Sequence, residues 1–165
     1  MLKSLALVSL LLTGAIFGFF YAWVCSTMWG LDVADPRVAV PAMQAMNASV
    51  RNAVFAPAFF GTPVVLFLTA FFAARQDRVV GGIFAMAGAV YLVGGLILTM
   101  AVNVPMNEAL AMVELSGDVS EAAAVWADYS PRWQVFNIVR TIASGVALLL
   151  VGVGLISLGR MPTGA

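Results

Sequence analysis

The sequence predicts an all-α fold: a four-transmembrane-helix bundle with short extracytoplasmic helical segments in the loops between helices 1–2 and 3–4. Three observations predict it. Of 165 residues, 62% are hydrophobic and 10% are charged, whereas about a quarter of a soluble domain is charged. Uncharged runs at Ser4–Leu31, Asn52–Ala74, Val79–Asn107 and Thr141–Gly159 are each close to the roughly 20 residues that a bilayer span requires. Charge also segregates: the 1–2 and 3–4 loops hold Asp32, Asp35, Glu108, Glu114, Asp118, Glu121 and Asp128 against Arg37, Arg51 and Arg132. Lys3, Arg75, Arg78 and Arg160 fall at one end of such a bundle, and basic residues favour the cytoplasmic side. The expectation is a single domain in the plasma membrane with both termini cytoplasmic and helices at about 4–28, 52–74, 79–102 and 132–158.

The elements follow in chain order. Helix 1 has too long an apolar run for a signal peptide and offers no small-x-small cleavage site at Ala22-Trp23-Val24, so it is expected in the mature protein. Gly14 and Gly18 form a Gly-x-x-x-Gly pair of the kind that permits close helix packing. Trp23 and Trp29 read as interface anchors. Asp35-Pro36 reads as an N-cap followed by proline at the first helical position, which opens a short helix. On it Gln44, Asn47 and Arg51 share one face. Pro57 and Pro63 lie in helix 2, where neighbours must satisfy the carbonyls that proline frees. Helix 3 is rich in Gly and Ala and suits an inner position. It is expected to end near Pro105, with short helices at about 108–114 and 120–129 before Pro131 opens helix 4.

Composition also removes function classes. Net charge is zero, which gives nucleic acid no electrostatic footprint. Cys25 is the single cysteine and histidine is absent. A Cys-x-x-Cys pair, an ordinary His-ligated haem, a zinc triad and a His–Asp relay therefore cannot be built. No metal and no organic cofactor are expected. Met43-Gln-Ala-Met46 has a spacing that thioether ligation of Cu(I) could use, but gap-filling is the commoner role of methionine. The expected partners are the lipid bilayer and a small apolar aromatic ligand. The oligomeric state stays open.

Polar residues able to hold a ligand concentrate in three clusters at one end: Gln44, Asn47 and Arg51; Asn103, Asn107 and Glu108; Trp133, Asn137 and Arg140. Spacing i, i+4, i+7 puts the last three on one helix face. Arg140 lies nine residues beyond Pro131, roughly 13 Å along the axis. An ionisable group at that depth marks a functional site unless a partner neutralises it. Glu108 and Asp128 are the candidates for such a structural partner. Likewise Asn103 and Asn107 have a structural alternative, capping a helix broken at Pro105. All four tryptophans sit at this end, whereas a symmetric aromatic belt would populate both. Guanidinium, carboxamide and indole donors around aromatic surface suit a flat, oxygen-bearing ligand such as a phenol, quinone or enolate.

The run Asn103-Val-Pro-Met-Asn107-Glu-Ala-Leu110, then Trp126-x-x-Tyr129-x-x-x-Trp133-x-x-x-Asn137-x-x-Arg140, with the earlier Met43-Gln-Ala-Met-Asn47, resembles the signature of the anthrone oxygenase-like membrane family. The resemblance implies four membrane helices and, in characterised fungal relatives, oxidation of a polyketide anthrone to an anthraquinone with O2. On that basis Arg140, Asn137 and Asn107 are assigned to an oxyanion clamp. Trp126 and Trp133 would stack the ring, Gln44, Asn47 and Asn103 would line the ligand site, and Glu108 or Tyr129 would be the base. The rival class is a non-enzymatic membrane protein that binds a quinone-like or lipid molecule, or serves as an assembly partner.

The orientation is testable. In a Cys25→Ser background, Asp118→Cys is expected to react with a membrane-impermeant thiol reagent on intact cells. Reaction only after lysis would reverse the assignment of the termini.

Overall fold

A computed structural model describes residues 1–160. Five helices account for nearly all of them: α1 (Leu2–Val33), α2 (Pro36–Ser49), α3 (Phe55–Ala74), α4 (Arg78–Ala111) and α5 (Val119–Arg160). The protein is all-α, and α1, α3, α4 and α5 are long and apolar enough to cross a membrane. They are the four predicted transmembrane helices. Around the bundle α1 neighbours α3, α3 neighbours α4, α4 neighbours α5, and α5 returns to α1. Each helix therefore packs on its sequence neighbour, as short connections require. The short helix α2 lies across one end, against α5 and the last turns of α4.

Side chains explain most of the boundaries. The Asp35 carboxylate caps α2 by accepting from the Arg37 backbone N–H at 2.9 Å, with Pro36 at the first helical position. The Arg37 side chain pairs with the same carboxylate at 2.7 Å and holds its pKa down at about 2. Asn52 Oδ1 accepts from the N–H groups of Val54 and Phe55. That turn delays α3 to Phe55, three residues later than predicted. Asp77 caps α4 through the N–H groups of Val79 and Val80.

Pro63 sits inside α3 and cannot donate to the carbonyl four residues earlier. That carbonyl, on Phe59, accepts instead from the buried Tyr91 hydroxyl of α4 at 2.8 Å. The predicted rescue by a neighbouring helix is thus identified atom by atom. A second polar contact, between Ser9 and Thr69 at 3.0 Å, ties α1 to α3.

Three predicted boundaries are corrected. α1 does not stop near Met28. It passes through a π-helical segment, Trp23–Thr27, and continues to Val33. α4 does not break at Pro105. A π-helical segment, Thr99–Asn103, precedes the proline, and the helix runs on through Pro105 into the α-helical segment Val104–Ala111. The predicted short helix from 108 is therefore the end of α4, and residues 113–116 are irregular. Helix 4 does not begin at Pro131 either. Val119–Arg160 is one continuous helix of 42 residues with Pro131 inside it. Both Ala127 and Pro131 are exposed, so solvent can reach the carbonyl that the proline leaves unpaired.

Close packing occurs elsewhere than at Gly14 and Gly18. A Cβ on Gly18 would meet nothing within 4 Å, and one on Gly14 only Leu148 at 4.0 Å. At Gly94 in α4, however, a Cβ would lie 2.5 Å from the Cβ of Ala143 in α5. This crossing lets the two helices that carry most of the polar residues approach. Gly94→Ala is therefore expected to lower the thermal midpoint in detergent despite its better helix propensity, worth about 1 kcal/mol in a soluble helix. Gly18→Ala should leave the midpoint unchanged or raise it. Equal behaviour of the two variants would remove the crossing from the account.

Candidate functional site

Two buried clusters divide the interior. One runs through the middle of the bundle and includes Ile16, Phe20, Phe59, Leu66, Phe84, Tyr91 and Val151. The other lies at the α2 end and joins Trp23, Met28, Val40, Met43, Leu110, Trp126, Tyr129 and Trp133. Between them opens a cavity of about 550 Å³. Seven aromatic side chains line it: Phe19, Phe20 and Trp23 from α1, Phe55, Phe59 and Phe60 from α3, and Trp133 from α5. Polar side chains enter from four directions: Asn47 of α2, Arg51 of the following turn, Thr99, Asn107 and Glu108 of α4, and Arg140 of α5.

Arg140 is 5% exposed. Its Nη2 donates to Asn137 Oδ1 at 2.9 Å and its Nη1 to Thr99 Oγ1 at 3.4 Å. The guanidinium carbon lies 4.7 Å from the ring centre of Phe20 and 5.0 Å from that of Trp133. Ring faces attract a desolvated cation, but they do not cancel its charge. Among the described residues no carboxylate comes within 4.0 Å of it. The structural ion pair considered for Arg140 is not formed. Glu108 pairs instead with Arg51 at 3.3 Å, and Asp128 is exposed.

Asn137 is buried behind Arg140 and outside the cavity lining. Its Nδ2 donates to the Phe20 carbonyl at 3.2 Å, which directs Oδ1 to the guanidinium. A similar logic orients Asn107. Its Oδ1 accepts from the Tyr129 hydroxyl at 2.8 Å and from Trp133 Nε1 at 2.9 Å. With the oxygen held by two donors, the Asn107 amide N–H groups remain as the free side of that carboxamide. Asn47 Nδ2 donates to the Tyr129 oxygen at 3.2 Å. Tyr129 thus links two cavity-lining carboxamides without lining the cavity itself.

Six residues singled out from the sequence therefore meet at the cavity: Asn47, Arg51, Asn107, Glu108, Trp133 and Arg140. Asn137 and Tyr129 stand directly behind them. Three others are placed differently. Gln44 Nε2 donates to the carbonyls of Leu110 and Val113, both at 2.9 Å, which closes the end of α4 against α2. Trp126 Nε1 donates to Asp32 at 3.0 Å. Asn103 is fully buried with neither polar atom partnered, as is Arg140 Nε. Asn103 makes no capping hydrogen bond, so the capping role considered for it does not apply.

Sequence reasoning passed over Trp23, Phe20, Thr99 and Asp32. Trp23 lines the cavity, with its ring 5.1 Å from that of Trp133. Thr99 completes a stripe with Asn103 and Asn107 at fourfold spacing, a signal that was available. Asp32 accepts from Trp126, Ser130 and Gln134. This knot ties the end of α1 to α5 and accounts for the extension of α1 beyond Met28. Met28 and Met43 are fully buried in the second cluster, where they fill space. Among the described residues no group of three or more His, Cys, Asp or Glu side chains converges.

Neither the curated proteins nor the solved structures give a match to the chain. The family model for anthrone oxygenase matches residues 46–150. This stretch contains every site residue named above except Gln44 and the aromatic and acidic residues of α1. Well over half of the chain is covered, and with the polar side chains of the cavity inside the matched region, the protein belongs to the anthrone oxygenase family.

Proposed function

We propose that this membrane protein is an oxidoreductase that oxidises an anthrone-, phenol- or quinone-like molecule with O2 and needs no metal or organic cofactor. The observation that carries the reading is Arg140, a guanidinium without a carboxylate partner at an aromatic cavity, in a chain of the anthrone oxygenase family. The plasma membrane, with both termini cytoplasmic and the cavity toward the outer face, is the location proposed for it.

The chemistry can be assigned to residues. An anthrone carries an acidic methylene opposite its carbonyl. A base removes one methylene proton, and the charge moves to the carbonyl oxygen as an enolate. Glu108 is the proposed base because, among the described residues, it is the one carboxylate lining the cavity. Arg140 and the Asn107 amide are the proposed clamp for the oxyanion. Fixed donors in a dry site stabilise developing charge far better than water does. Phe20, Trp23 and Trp133 bound the ring system. The electron-rich enolate passes one electron to O2, and the resulting radical and superoxide combine at the former methylene carbon. Proton uptake gives the hydroperoxide. Loss of the remaining C–H proton and cleavage of O–O then yields the quinone carbonyl and water. O2 takes all four electrons, with one oxygen atom retained in the quinone.

Asn137 and Tyr129 are positioning residues in this scheme, acting through Arg140 and Asn107. A second reading, a non-catalytic receptor for a quinone or lipid, is favoured by one feature: Phe60 and Met100 line the cavity and are 50% and 46% exposed on the bundle surface.

Turnover separates the two. Purified protein given 1,8-dihydroxyanthrone is expected to consume one O2 per quinone formed, above the spontaneous rate and after treatment with a strong chelator. Arg140→Gln should lower kcat/KM by about 100-fold, with little change in thermal midpoint. No acceleration over autoxidation would leave the receptor reading. Activity lost on chelation and restored by one metal would overturn the metal-free part.

A further inference from the structure

The charges around the cavity do not balance. Arg51 and Glu108 neutralise each other at 3.3 Å. α1 and α3 contribute only aromatic and small side chains to the lining. Among the described residues the titratable groups set just behind the lining are two phenols: Tyr129, held by Asn107 and Asn47, and Tyr91, which donates to the carbonyl of the lining residue Phe59. Arg140 therefore gives the cavity a net charge of one positive unit. A guanidinium has five N–H groups and remains protonated in proteins. Two of the five are engaged, by Asn137 and Thr99, and Nε has no partner. The Asn107 carboxamide adds donors, because its oxygen already accepts twice.

We propose that this site takes its ligand as a monoanion, a flat aromatic phenolate or enolate, and selects the deprotonated form on binding rather than only during the reaction. The inference rests on the cavity being the ligand site, as in the function proposed above. It narrows the ligand class. A neutral quinone, ester or ether leaves the excess charge in place, whereas a single oxyanion cancels it. An opposite charge a few ångströms away lowers an acid's pKa by about one to three units. Here the guanidinium itself is buried, so its attraction is screened less than that of a surface charge. The aromatic walls favour an aryl oxyanion over the carboxylate of a fatty acid, although Arg140 would accept either.

The probe is alizarin, a flat hydroxyanthraquinone whose visible absorption reports loss of the phenol proton. Bound to the wild-type protein in detergent, its ionisation midpoint is expected to fall by about one pH unit or more relative to the same detergent alone. Arg140→Lys, which keeps the charge, should retain most of that shift, and Arg140→Gln should lose it. Where Arg140→Gln does not fold, the wild type alone decides. The 1,2-di-O-methyl ether of alizarin has no phenol left to ionise and is expected to bind about tenfold more weakly or worse. An unshifted or raised midpoint, retention of the shift in Arg140→Gln, equal binding of the dimethyl ether, or no binding of alizarin at all would overturn the proposal. Tighter binding of hexadecanoate than of alizarin would overturn its aromatic part. Oxidation of 1,8-dihydroxyanthrone is a separate readout. Turnover with an unshifted midpoint sinks the anion inference alone, and a shifted midpoint without turnover sinks the oxidation alone.

Discussion

One guanidinium sets the terms for the rest of the molecule. Arg140 lies in the apolar interior, and among the described residues nothing with a formal negative charge touches it. Two ring faces, one carboxamide oxygen and one hydroxyl are what hold it. Each of those groups is in turn fixed by another helix or turn. Phe20 brings in α1 through its ring and, by way of Asn137, through its carbonyl. Thr99 donates its own hydroxyl proton to the Gly95 carbonyl at 2.6 Å, which leaves its lone pairs for the arginine. The close approach at Gly94 and Ala143 keeps α4 near enough to α5 for the Thr99 contact to exist. Burial of a charge without an ionic partner is costly, so these supports are a condition of the fold as much as of the site.

Around this centre, asparagine side chains set geometry at second hand. A carboxamide can present either its oxygen or its nitrogen, and a ligand site needs one of them consistently. Asn137 is turned by a backbone carbonyl, and Asn107 by a phenol and an indole. Orientation is thereby built partly from groups behind the wall, the Phe20 carbonyl and the Tyr129 phenol, and partly from the edge of a lining indole, which holds the polar groups in place among aromatic side chains.

What the sequence disclosed follows from the range of the forces involved. Four spans were legible because the bilayer requirement is set by composition over about 20 residues. The shared face of Trp133, Asn137 and Arg140 was legible because helical periodicity is local. The three corrected boundaries turn on longer-range effects. Pro131 reads locally as a helix start, and only its exposed placement in a longer helix shows why it is tolerated. Pro105 reads as a break, and the π-helical turn before it that accommodates the ring has no clear sequence mark. Asp32 reads as a loop acid, yet it closes on α5 residues about a hundred positions away. Trp23 reads as an anchor because nothing local reveals that α1 faces Trp133. The likeness to the anthrone oxygenases reached further than these local readings, since it rests on ordered residues spread along the chain, and the family match over residues 46–150 agrees with it.

The partly exposed side chains of Phe60 and Met100 at the cavity wall have a kinetic consequence. A ligand entering between α3 and α4 arrives from hydrocarbon rather than from water. Its effective concentration is then its mole fraction in the bilayer, fixed by partitioning. O2 also dissolves better in hydrocarbon than in water, so both reactants of an oxygenation would be enriched in the same phase. Adding lipid at constant total substrate would dilute the substrate at the protein and slow the rate, although its concentration per volume of suspension is unchanged. The saturation constant of such a protein belongs to the membrane as much as to the chain.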